Sequence, residues 1–107
     1  MLSKKHLTQR IEKSWELIKI ANTDIDEEWT FGNGIVTRVD KITNDTIDKG
    51  TYKLSTGIDN AVVEIKNFNL SRFNGKWNVL RLDDGFLVIA VNQNENGAVY
   101  EREFFAK

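Results

Sequence analysis

Residues 75–91, GKWNVLRLDDGFLVIAV, decide the fold. Trp77 and Val79 alternate with Lys76 and Asn78, the two-residue period of a strand with one face buried. Asp83-Asp84-Gly85 then supplies residues that tolerate positive φ, and Leu87, Ile89 and Val91 follow in a nearly continuous apolar run with Phe86 and Val88. Two antiparallel strands joined by a tight turn are the direct prediction. One fault in parity adds to it: Leu80 and Leu82 are out of step with Trp77 and Val79, so a β-bulge is expected near Val79-Leu80.

The same period extends in both directions. Trp15 and Leu17, Trp29 and Phe31, Tyr52 and Leu54, Val63 and Ile65, and Tyr100, Arg102 and Phe104 each alternate with polar neighbours. Ile35, Thr37 and Val39 alternate with Arg38 and Asp40, which puts the first three on the expected inner face. Turn residues separate the runs at Gly32-Asn33-Gly34, Asp48-Lys49-Gly50, Thr56-Gly57, Asn74-Gly75 and Asn96-Gly97, with Asn74-Gly75 and Asp84-Gly85 the strongest hairpin signals. Helical spacing occurs at the start alone, where Ser3 is a suitable N-cap and Leu7 and Ile11 share a face too narrow to be stable unsupported. The chain therefore reads as a single all-β domain over 1–107: a helix at 3–13 capping a roughly eight-stranded antiparallel up-and-down barrel at 14–107.

Composition narrows the chemistry. The 107 residues include no Cys, no Pro and one His, with 15 basic and 16 acidic side chains for a net charge of −1. Without cysteine there are no disulfides, thiolate metal sites, iron–sulfur clusters or cysteine nucleophiles. The charge balance argues against nucleic acid, which is usually met by a basic excess. No apolar run reaches the roughly 18 residues of a membrane-spanning helix. His6, set among lysines, reads as a solvated side chain rather than a general base, so no catalytic residue, metal or cofactor is assigned. Asp24-Ile25-Asp26-Glu27-Glu28 has the oxygen density that calcium favours but not the spacing of a calcium loop, and is expected to be a solvated acidic loop.

Certain segments resemble the small bacterial lipocalin-like proteins of the calycin group. They are Lys13-Ser14-Trp15-Glu16-Leu17, Gly75-Lys76-Trp77-Asn78-Val79, Leu82-Asp83-Asp84-Gly85-Phe86-Leu87, and Gly97-Ala98-Val99-Tyr100-Glu101-Arg102-Glu103-Phe104. Lys13 stands where that family has Gly. The resemblance implies a barrel whose base is closed by Arg102 packing over Trp15, an interior that often holds a small apolar molecule, and frequent export, sometimes as a lipoprotein. The chain is thus expected in the cell envelope or secreted if a leader has been removed, and in the cytoplasm otherwise.

Trp29, Phe31, Tyr52, Trp77 and Tyr100 fall on the expected inner parity of their strands, where they serve as core or line a cavity with indole and hydroxyl handles. Lys19 shares that parity as a possible partner for a carboxylate. The first expectation for function is non-catalytic binding of a small apolar or amphipathic ligand in the barrel. The alternative is a protein-interaction module (inhibitor, immunity or envelope-assembly protein) using the barrel surface or the 67–74 loop. In that loop Phe68, Leu70 and Phe73 act as a lid, a contact patch or a simple cover for the core.

Overall fold

The computed structural model describes residues 4–17, 27–57, 60–93 and 98–106, excluding the side chains of 4, 72, 91–93 and 98–100. One helix, α1 (Lys4–Ile11), precedes eight strands: β1 (Ser14–Leu17), β2 (Glu27–Gly32), β3 (Ile35–Asp40), β4 (Thr46–Thr56), β5 (Ala61–Lys66), β6 (Gly75–Leu82), β7 (Phe86–Gln93) and β8 (Ala98–Ala106). A 3-10 turn, Ser71–Phe73, lies between β5 and β6. Each strand pairs antiparallel with the next, and β1 pairs with β8 to close the barrel. A closed eight-stranded antiparallel barrel with a short N-terminal helix is consistent with a lipocalin-like fold.

The turns set the register. Asn33 and Gly34, with φ of 53° and 78°, form a two-residue hairpin turn with both residues left-handed, and it pairs Phe31 with Val36 and Trp29 with Arg38. Since Phe31 and Trp29 face inward, their partners must too. Val36 and Arg38 are buried while Ile35 is exposed, which reverses the inner face expected for β3. In β6 the ladder shifts between Val79 and Arg81, so Leu80 is extruded and Leu82 returns to the core. This is the bulge that the parity fault requires.

Two expected turns are something else. Asp48-Lys49-Gly50 lies within β4, where Gly50 is needed for close approach: a Cβ there would lie 2.5 Å from the Lys66 carbonyl oxygen and 3.0 Å from the Phe68 ring. Asn74-Gly75 is not a hairpin turn but the end of a longer crossing over 67–74. The helix is also shorter than expected, because the Lys13 amide bonds the Ile11 carbonyl oxygen and β1 begins at Ser14.

The alternating inward residues form one core containing Trp15, Trp29, Phe31, Val63, Trp77 and Phe104. Each open end of the barrel is covered. At one end, here the helix end, α1 brings Leu7 and Ile11 onto the core, and the Arg10 guanidinium makes a long hydrogen bond (3.4 Å) to the Leu82 carbonyl oxygen. At the other, the plug end, the 67–74 crossing buries Phe68 and Phe73.

Candidate functional site

Four of the five aromatic residues singled out for the interior converge in the barrel. Trp29, Phe31 and Trp77 are at most 1% exposed, and Tyr52 is half-buried against the same core. They are packed onto one another and onto the plug. The Trp29 ring centroid lies 5.7 Å from that of Phe68, 5.4 Å from Phe73 and 5.2 Å from Phe104, and Phe31 meets Tyr52 edge-on at 5.2 Å. These are ordinary aromatic contact distances, so the rings pack directly on one another. The Tyr100 side chain, Lys19 and Asp24 to Asp26 lie outside the described residues.

Each tryptophan N–H has a definite acceptor. Trp15 Nε1 donates to the Ile11 carbonyl oxygen (3.0 Å) and Trp77 Nε1 to that of Phe73 (2.9 Å), while Trp29 Nε1 donates to Glu27 Oε1 (3.1 Å). Among the described residues no buried side-chain nitrogen or oxygen lacks a partner.

Glu27 belongs to a buried charged cluster that alternation does not reveal. Arg38, reaching inward from β3, donates from Nε to Glu27 Oε1 (2.8 Å), from Nη2 to Glu27 Oε2 (3.0 Å) and from Nη1 to Asp48 Oδ2 (3.2 Å). Glu27 is therefore a buried strand residue and not part of a solvated acidic loop. Asp48 also accepts the amides of Lys49 (2.9 Å), Asn69 (3.0 Å) and Leu70 (3.2 Å). Burial pushes the Asp48 carboxyl up, but the three amides and Arg38 together outweigh it and hold the group below the usual aspartate value. The bidentate Arg–carboxylate fork and the shared Asp are the geometry in which a buried guanidinium is satisfied. What this cluster does is position the plug: Asp48 grips the backbone of 69–70, and Arg38 lies 4.8 Å from the Phe73 ring centroid.

Arg102 lies over the same ring from the opposite strand, 5.3 Å from the Phe73 centroid. Trp15, paired with Ala106 four residues further along β8, instead carries the Lys13 ammonium at 5.2 Å from its ring. A cation thus covers Trp15, supplied by the position where the resembling family has Gly, while Arg102 reaches the plug.

Two features lie outside the barrel. Between α1 and the β6–β7 turn, His6, Gln9, Arg10, Lys13 and Asp84 line an open groove of about 370 Å³. On the outer face of β6–β8, Phe86 and Phe105 are paired across strands and 40% and 42% exposed; Leu80, extruded at the bulge opposite Val88 and Ile89, is 58% exposed. The Arg81 guanidinium lies 4.5 Å from the Phe86 ring centroid, and Glu101 and Glu103 flank the patch on β8. The other groups with shifted protonation serve the fold. Burial raises the Tyr52 hydroxyl, with Glu12 adding to it, and Arg81 with the Gly85 and Phe86 amides lowers turn residue Asp83 to about 2. Among the described residues no three His or carboxylate side chains are grouped to hold a metal ion, and no helix is long and apolar enough to cross a membrane.

No protein-family model matches this chain, and no curated protein is detectably similar to it in sequence.

Proposed function

We propose that this is a non-catalytic binding domain of the lipocalin-like type that meets a protein partner with its outer surface. The observation that carries the reading is the mutual packing of Trp29, Phe31, Trp77, Phe68 and Phe73, which leaves the interior occupied by the chain's own rings. What supports an outer contact is the exposed cross-strand pair Phe86 and Phe105, with the Arg81 guanidinium against the Phe86 ring and Glu103 two residues along β8, and with Leu80 also exposed on β6. The carboxylates on the β8 side favour a partner that presents an apolar anchor beside lysine or arginine. A photoreactive residue in place of Phe105 is expected to cross-link a protein in the native cell, whereas the same residue at exposed Lys53 on β4 is not. Equal cross-linking from both positions would sink this assignment.

A second reading, a small apolar or amphipathic ligand inside the barrel, is favoured by one observation: the plug is held to the wall by the Asp48 carboxylate and the Trp77 indole N–H rather than by a strand ladder. Native mass spectrometry of gently purified protein separates the two. The outer-surface reading expects the mass of the bare chain, and a retained small molecule would replace it with the second.

A further inference from the structure

We propose that residues 67–74 move as one rigid plug, swinging about Asn67 and Gly75 to open that end of the barrel. The segment is closed on itself. Phe68 N–H donates to Asn74 Oδ1 (2.9 Å), Asn74 Nδ2 donates back to the Phe68 carbonyl oxygen (3.0 Å), and the Phe73 and Asn74 amides bond the Leu70 and Ser71 carbonyl oxygens (3.1 and 3.0 Å). Both of its boundary residues take positive φ, 71° at Asn67 and 133° at Gly75, and Gly75 forms the last β5–β6 pair, with Ile65. Residues tolerant of unusual φ/ψ at both ends of a compact segment are what a hinged element requires.

The bonds from plug to wall are of another kind. At the hinge itself Asn67 Nδ2 donates to Thr51 Oγ1 on β4 (3.2 Å); beyond it, Asn69 and Leu70 N–H donate to Asp48, and Trp77 Nε1–H donates to the Phe73 carbonyl oxygen. The three beyond the hinge can break while every bond inside the plug survives. Rotation would carry Phe68 and Phe73 off the face of Trp29, leaving Arg38 and Arg102 at the rim. Such an opening is the entrance that an interior ligand would need, but the inference rests on bonds and hinges and does not depend on either reading of function.

Hydrogen exchange followed by NMR on the full chain tests it. The bridging hydrogens, Asn69 N–H, Leu70 N–H and Trp77 indole N–H, are expected to exchange with one common opening free energy and one small urea dependence. The Phe68, Phe73 and Asn74 amides inside the plug should exchange at least about tenfold more slowly, with the strand ladders. In Asp48→Asn the three bridging hydrogens should speed up together by about tenfold or more, including the Trp77 indole, which Asp48 does not touch. If only Asn69 and Leu70 accelerate, or if in the wild-type chain all six hydrogens exchange as one set, the rigid-plug proposal is wrong. The wild-type comparison needs no variant, so it decides the matter even if Asp48→Asn folds poorly.

Discussion

The two ends of the barrel are closed by the same device and secured by different physics. At each, a helical turn ends on a carbonyl that accepts the indole N–H of a tryptophan four residues on: Ile11 to Trp15 at the helix end, Phe73 to Trp77 at the plug end. Each tryptophan stands near the start of a strand, so the bond ties cover to wall within a few residues of chain. Beyond that the ends diverge. Both ends bury apolar side chains, Leu7 and Ile11 at the helix end and Phe68 and Phe73 at the plug end, but only the plug end adds a buried charged cluster, that of Arg38, Glu27 and Asp48. Apolar burial is non-directional and independent of pH. A buried charge cluster is directional and contributes only while all its members are present and ionised.

The largest effect should come from removing the cation of the plug end. Arg38→Met leaves two buried carboxylates facing each other and is expected to cost about 3–5 kcal/mol in urea denaturation. Replacing all three charged residues by apolar ones of similar volume should not recover that loss, because the Lys49, Asn69 and Leu70 amides and the Trp29 indole N–H would lose their acceptors; full recovery would show that these bonds add nothing to stability. At the helix end, Ile11→Ala should cost about 2–5 kcal/mol through a cavity, and the loss should be the same at pH 7 and pH 4. A strong pH dependence there would erase the contrast between the ends.

Trp15→Phe and Trp77→Phe each remove an indole N–H from a buried carbonyl and should each cost about 1–3 kcal/mol. Nearly equal losses would mean that the shared device works alike in both settings.

The smallest effect is the response to acid. Because Asp48 is depressed in the folded state, its contribution is complete above the ordinary aspartate value and is lost as pH falls through the lower folded value. Stability should therefore decline below about pH 4, and less steeply in Asp48→Asn. Asp83, held at about 2 by Arg81 and the turn amides, is exposed and screened by solvent, so its own acid-side contribution is smaller and is left in place by this variant.

Much of the barrel was legible in sequence because alternation and turn residues are local signals. Trp77, Val79 and Leu82 even disclosed the bulge at Leu80. The inner face of β3 was misread because Ile35, Thr37 and Val39 look more apolar than Arg38, while the deciding fact lay in the hairpin. A two-residue turn at Asn33-Gly34 forces Val36 opposite Phe31 and Arg38 opposite Trp29, so counting across it would have turned Arg38 inward. Asp48-Lys49-Gly50 misled for a related reason. Its residues suit a turn, yet Gly50 is there because Lys66 and Phe68 press against it, and Asp48 because it holds the plug. No local pattern carries either fact, since both partners lie well along the chain.

Closure of the barrel has a consequence for how the chain folds. Seven of the eight strand pairings join sequence neighbours, and only the seam of Trp15, Glu16 and Leu17 with Ala106, Phe105 and Phe104 spans nearly the whole chain. Loop-closure entropy makes that pairing the natural last step, after the hairpins have zipped in sequence. Until it forms, β1 and β8 are open edges with Phe104 unshielded, so the pairing of β1 ends the interval in which the chain is most exposed to misassociation.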